Sequence, residues 1–347
     1  MDSTGVLMHG LSTKSLNPPG VIHNLMRAQW AGAIIANSTQ LKIFDAVDLG
    51  FRSADEVARE TGIQPRAAEI LLNALVSLEL LTKDEKGYST TEESHYYMVS
   101  TSPLFVGGYF QARPAFARAW QNMAEIVTTG KPGAEINKDE TAQEFFPDLA
   151  AALFPMNFAY GQRLAEYLKI AERTEKVRVL DLACGSAVWS IPLARANKNV
   201  HVDALDFAPV LDVARKFTEK AGVKEQYAYL SGNWQDIALS ENTYDVVILG
   251  HILHSEGKVR SVELLSHVYG ALKKGGTVAI AEFLVDSSRT SPAFAAMFAL
   301  NMYLVTTDGC VFSHDELGDM LNDSGFVHVR EMPKNQHDSD VMLADKV

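Results

Sequence analysis

The sequence predicts a mixed α/β protein, with a mostly α-helical amino-terminal domain in front of a parallel sheet covered by helices on both faces. Three observations lead there. From Val177 onward, short apolar runs alternate with stretches of helical period, the pattern of repeated βαβ units. Residues 21–100 instead carry helix-spaced apolar groups closed by a short turn-and-strand pattern. The length of 347 residues has room for two ordinary domains.

In chain order, residues 1–20 contain Gly, Ser and Pro without period and read as an arm. Ile22, Leu25, Met26, Trp30, Ile34, Ile35, Leu41, Ile43 and Phe44 recur at helical spacing and imply one or two amphipathic helices. Ser53 to Glu56 has capping-box form, so a helix starts there, runs to about Thr61 and stops at Gly62. Pro65 opens a second helix with Ile70, Leu71, Leu75, Leu78 and Leu81 on one face. Lys83 to Gly87 is a turn, and Tyr88 to Thr91 is the return strand of a wing. Together these make a winged-helix domain over 21–100. Residues 101–170 read as aromatic-rich helices interrupted by the turn Gly130 to Gly133. The domain at 171–347 offers strands at Val177–Leu182, Val200–Leu205, Tyr227–Leu230, Tyr244–Leu249 and Thr277–Val285. Helical patterns occupy Val188–Ala196, Ala208–Ala221 and Val259–Leu272, and Ser313 to Glu316 has capping-box form again. Val327–Met332 and Val341–Ala344 fit two last strands joined by a sharp turn.

Composition removes several functional classes. A net charge of -12 opposes nucleic-acid binding and attachment to an anionic membrane. The helix at Gln64–Leu80 that a winged-helix DNA reader would use has one basic residue, Arg66, against Glu69 and Glu79, so it reads as an interaction domain. There is no long apolar span and no secretory signal, and Cys184 and Cys310 cannot make a disulfide framework or a cysteine-rich zinc site. A cytoplasmic setting is expected. The ten histidines show no ligand spacing, so no metal is expected.

The chemistry-bearing residues fall at the carboxyl ends of the predicted strands, where ligands bind in open α/β sheets. The first ends in Asp181-Leu-Ala-Cys-Gly185, and the glycine permits close backbone approach to a ligand. A tight strand-to-helix turn is the structural alternative. The second ends at Asp206-Phe207, where the carboxylate can accept from both hydroxyls of a ribose or cap the next helix. The third ends in Gly232-Asn233-Trp234, an amide that can address an adenine and a ring that can pack on it. The fourth leads into Gly250-His251-Ile-Leu-His254. His254 can take a hydroxyl proton near neutral pH, and Glu282 at the end of the fifth strand can orient it. A helix cap at His254 and an unrelated partner for Glu282 are the structural alternative.

Residues 22–347 resemble the small-molecule O-methyltransferases, a family of S-adenosylmethionine-dependent class I methyltransferases that includes the caffeate, acetylserotonin and hydroxyneurosporene enzymes. The resemblance rests on the winged-helix part, the Asp181-x-x-x-Gly185 motif, Ile252-Leu-His254-Ser255, and Leu272-Lys-Lys-Gly-Gly276. It implies a Rossmann-like catalytic domain, homodimerisation through the amino-terminal domain, S-adenosyl-L-methionine as methyl donor and S-adenosyl-L-homocysteine as product. It places His254 on the general base and Glu282 on its flanking carboxylate. Asp181, Gly185, Asp206, Phe207, Gly232, Asn233, Trp234 and Gly250 become the cofactor set. Met156 and Tyr160, with His251, Phe298, Asn301, Met302 and Thr306, become walls of the acceptor pocket. The sequence departs from the family at Ala183, Cys184 and Ala187, where glycines are common, and at Gly250, where some members carry Lys or Arg. A second acidic residue is missing from Gly309-Cys-Val-Phe312.

The expected reaction is methyl transfer to a hydroxyl of a small aromatic or polyketide-like molecule, without metal. Carbon or nitrogen methylation, non-methyl chemistry on the same fold, and transcriptional regulation through the winged helix are the alternatives.

Overall fold

A computed structural model of the chain describes residues 20–111, 114–333 and 340–347, with side chains of 111–115 excepted. The expected arm at 1–20 lies almost wholly outside these residues, as does the turn expected between the last two strands. The chain divides into two compact units, Met1–Ser102 and Pro103–Val347.

The first unit holds helices α1 (Gly20–Gln40), α2 (Ile43–Asp48), α3 (Ala54–Thr61) and α4 (Pro65–Ser77). The hairpin β1 (Leu81–Asp84) and β2 (Gly87–Thr90) follows, then α5 (Glu92–Met98). Helix α3 starts where Ser53 accepts the Glu56 amide and Glu56 accepts the Ser53 amide, and it ends on Gly62 in the left-handed region. The wing is tighter than the sequence suggests, because Leu81 pairs with Thr90 and Asp84 with Gly87, leaving a two-residue turn. Ile43, Phe44, Val57, Leu72 and Leu75 form its buried centre. On α1, by contrast, Val21, Ile22, Leu25, Met26 and Trp30 are exposed.

The second unit begins with α6 (Gly108–Gln111), α7 (Pro114–Gln121), α8 (Met123–Thr129) and the long α9 (Asp139–Tyr167). The βα alternation then runs β3 (Val177–Leu182), α10 (Ile191–Ala196), β4 (Val200–Asp206), α11 (Ala208–Lys220), β5 (Tyr227–Ser231) and β6 (Tyr244–Gly250). It continues through α12 (Leu253–Ala271), β7 (Leu272–Glu282), α13 (Ala293–Val305), α14 (His314–Asp323), β8 (Val327–Glu331) and β9 (Asp340–Asp345). Strand β7 starts five residues earlier than the sequence indicates, taking in Leu272 to Gly276.

These strands form one seven-stranded sheet in the order β5-β4-β3-β6-β7-β9-β8. Strands β3 to β7 are parallel, and β9 runs antiparallel to both neighbours. Apolar clusters cover both faces, one around Val179, Ile191, Val202 and Leu343, the other around Leu180, Leu249, Leu264 and Phe326. Burial on both faces is why the central strands read as continuous apolar runs. The chain moves outward from β3 to β5, then returns to β6 on the other side of β3, so a crevice opens between the ends of β3 and β6. Among the described residues no helix is long and apolar enough to cross a membrane.

Candidate active site

A cavity of about 730 Å³ opens over that crevice, and every residue lining it belongs to the second unit. One end is formed by the turn after β3. Ala183, Gly185 and Ala187 all have left-handed backbones there, so two alanines adopt the conformation that glycines take without cost. Asp206 closes this end. Its carboxylate accepts the Gly185 amide at 2.9 Å and the Phe207 amide at 2.8 Å, which fixes the carboxylate on the cavity wall. Burial raises the Asp206 pKa to about 6 against those two bonds.

Asp181 stands behind the wall. It is 1% exposed; Oδ2 accepts the Ser190 hydroxyl at 2.5 Å, and Oδ1 is buried without a hydrogen-bond partner. Burial, with the charge of Asp206, pushes its pKa to about 7 against the Ser190 bonds. Ser190 accepts in turn from Tyr227 at 3.0 Å. The sequence expected direct cofactor contact from Asp181; the structure instead makes it the buried end of a hydrogen-bond chain beneath the turn. The Asp206 carboxylate on the wall, with the buried Asp181 behind it, suits a cationic ligand with hydroxyl donors.

Gly232, Asn233 and Trp234 also line the cavity. Asn233 donates to Asp139 at 2.9 Å, and its side-chain oxygen accepts the Gln235 amide at 3.1 Å. Asp139, at the start of α9, thus places a carboxylate beside Asn233 on the cavity wall. No local sequence signal marked it, because the pairing spans 94 residues. The Trp234 ring is 7% exposed, with Arg260 over its face and His267 at its edge.

Gly250 lines the cavity for a packing reason. A Cβ there would lie 2.5 Å from Cδ1 of Trp189, so the indole occupies the space beside the β6 end. Trp189 itself packs near Tyr160 and His251, with ring centroids at 6.5 and 5.9 Å.

The other end carries the histidines. His254 Nδ1 donates to Glu282 Oε2 at 2.7 Å, and Glu282 Oε1 accepts the His254 amide at 3.2 Å. That pairing leaves Nε2 as the bare nitrogen. His254 lines the cavity while Glu282, 1% exposed, lies behind it. Burial raises the Glu282 pKa, but the charge and hydrogen bonds of His254 outweigh it, so the net shift is downward and the carboxylate stays ionised. The His254 carbonyl accepts the Cys310 amide at 2.8 Å, tying the segment after α13 to this turn. The sequence showed no histidine cluster, yet His251, His254 and Glu282 each bring a ligand-capable atom within 4.8 Å of the others. Sheet pairing creates that convergence, since Gly250 of β6 lies opposite Ala281 of β7.

Around the histidines the wall is apolar. Met156, Tyr160, Phe298 and Met302 reach it as expected, with Phe116, Phe146, Leu153, Phe283 and Phe294 beside them. Asn301 and Thr306 do not. Asn301 accepts the Trp120 indole N–H at 2.9 Å, and the Thr306 hydroxyl donates to the Met302 carbonyl and accepts the Gly309 amide, closing the end of α13.

Residues 163–327 match the O-methyltransferase domain, and residues 23–100 match the O-methyltransferase dimerisation domain. The chain thus carries an O-methyltransferase domain after an O-methyltransferase dimerisation domain. It is an S-adenosylmethionine-dependent methyltransferase. The methyltransferase is 28% identical over 314 residues, 90% of each chain, to the 3-hydroxy-5-methyl-1-naphthoate 3-O-methyltransferase of Streptomyces sahachiroi. It is 26% identical over 318 residues, 90% of this chain and 92% of the other, to the tetracenomycin polyketide synthesis 8-O-methyl transferase of Streptomyces glaucescens. The human N-acetylserotonin methyltransferase, solved in complex with S-adenosylmethionine, shares the methyltransferase's fold at a TM-score of 0.84 and 21% identity, over 97% of this chain and 99% of that one.

Proposed function

We propose that the chain transfers a methyl group from S-adenosylmethionine to a hydroxyl oxygen of a small aromatic or polyketide-like molecule, with His254 as general base. The observation that carries this reading is the His254–Glu282 pair, facing the cavity that Asp206 closes at its far end. Bound in that cavity, the sulfonium cofactor supplies an electrophilic methyl carbon. The Asp206 carboxylate would hold the ribose hydroxyls, and Gly185 would let the backbone approach the amino-acid end. Phe207, Gly232 and Trp234 would flank the adenine, with Asn233 and Asp139 at its amine. Asp181, and the weakly acidic Asp206, would balance the positive charge. Phe298, Met302, Met156 and Tyr160 would clamp a flat apolar acceptor.

His254 Nε2 would then take the acceptor proton. Glu282 holds the ring in the needed tautomer and stabilises the imidazolium that forms. Placing donor and acceptor in one cavity supplies the rest of the rate through proximity. The relatives' named roles, on a naphthoate and in tetracenomycin polyketide synthesis, support an aromatic or polyketide-like acceptor.

The test is His254→Ala. Turnover should fall by about 10²- to 10⁴-fold while calorimetry finds the affinity for S-adenosylhomocysteine retained. Undiminished turnover would remove His254 from its role. A product carrying its new methyl on carbon or nitrogen, located by NMR, would overturn the choice of oxygen.

A further inference from the structure

His251 is the buried polar group that this mechanism leaves without work. Both its ring nitrogens are shielded from solvent and have no hydrogen-bond partner among the described residues. An unmade hydrogen bond on a buried group costs about 1–3 kcal/mol, so two on one ring mark a site that expects a partner. The backbone adds a second cost. His251 sits at φ 62, a left-handed conformation unusual for a residue with a Cβ. It is held there by its amide, which donates to the Ala281 carbonyl at 2.9 Å, and by the Phe283 ring stacked on the imidazole at 4.4 Å.

The ring stands beside His254. Both histidines line the cavity, and their centroids are 6.1 Å apart. An oxygen hydrogen-bonded in the plane of an imidazole lies about 4 Å from its centroid, so one oxygen can reach both rings at that separation.

We propose that His251 is a second catalytic imidazole, donating its N–H to the same acceptor oxygen whose proton His254 removes. The proposal rests on the reading of His254 as base. The hydroxyl proton passes to His254 Nε2, and the oxygen's electron pair forms the bond to the methyl carbon. The carbon–sulfur pair stays on sulfur, and His251 keeps its proton throughout. Burial holds the His251 pKa down to about 4, opposed by the Glu282 charge, so the ring is neutral at physiological pH. A neutral imidazole steadies an oxyanion without surrendering its proton to it. The acceptors that gain most are weakly acidic phenols and enols, which arrive unionised.

The test compares His251→Phe and His251→Asn on a series of alkyl-, halo- and nitro-substituted phenols, with S-adenosylmethionine saturating. Phenylalanine fills the space without a donor. Asparagine tolerates positive φ and keeps an N–H. For His251→Phe, kcat should drop about a hundredfold on the least acidic phenols and progressively less as acidity rises. His251→Asn should recover to within about tenfold of the parent. A loss equal across the series, a rise in KM with kcat unchanged, or an asparagine variant as slow as the phenylalanine one would each overturn the proposal. Retained S-adenosylhomocysteine binding by calorimetry confirms that the variants are folded, and His251→Asn keeps the test decisive if His251→Phe is not. Failure of the base reading is distinct, since it appears as full turnover in His254→Ala.

Discussion

At the scale of single residues, one end of the cavity is backed by two carboxyls that resist ionisation. Asp181 and Asp206 sit at about 7 and about 6, against an ordinary 3.8. The folded protein without ligand therefore binds these protons more tightly than the unfolded chain does. The stability they contribute is complete below pH about 4 and is lost as pH rises through about 6 to 7. A cationic ligand reverses the preference, because it favours both ionised forms. Binding of S-adenosylmethionine should release protons and tighten as pH climbs through that window. Calorimetry in buffers of differing ionisation enthalpy measures the release directly; proton uptake, or none, would contradict this account of the charge balance.

At the scale of elements, α12 shows how one glycine places His254. The helix is interrupted at Gly257, whose φ of 73 separates the turn carrying His254 from the regular helix beyond it. A Cβ at Gly257 would lie 2.2 Å from the Asp308 carbonyl oxygen, within the same segment that bonds the His254 carbonyl through Cys310. Gly257→Ala should cost about 2 kcal/mol or more from left-handed strain and overlap, read as a lower denaturation midpoint, and should lower turnover as well. Gly270, later in the same helix, has nothing within 4 Å of where a Cβ would stand. Gly270→Ala should stabilise by about 0.5–1 kcal/mol through helix propensity alone. If the two substitutions had equal effects, the break at Gly257 would have no structural purpose.

At the scale of the molecule, the match of residues 23–100 to a dimerisation domain gives a place for the apolar residues exposed on α1. Val21, Ile22, Leu25, Met26 and Trp30 recur at three- and four-residue spacing, as a helix face that expects a cover does. We expect light scattering to report a homodimer, about twice 38.1 kDa, and Leu25→Glu with Trp30→Glu to shift it to monomer. A parent that runs as a monomer would sink this expectation. The winged-helix arrangement carries no basic footprint within a net charge of -12, so a gel-shift assay at physiological salt should find no duplex DNA bound.

What the sequence determined by itself was whatever depends on near neighbours. The βαβ alternation, the Ser53 and Ser313 capping boxes, and the strand ends at Asp206 and Gly250 follow from periodicity and local hydrogen bonding, and all stand in the structure. The approach of His254 to Glu282 was legible because both fall at the ends of strands or turns that a parallel sheet must bring level. Tertiary structure alone decided the rest. The pairing of β6 with β7 brings Phe283 onto the His251 ring, and packing against Trp189 requires a glycine at 250. The Asn233 bond enlists Asp139 from a distant helix, and α13 faces Asn301 toward Trp120 rather than into the cavity. The physical reason is that a side chain's direction and company depend on strand register and helix rotation against other elements, and those are set by the packing of the whole core rather than by the residues on either side.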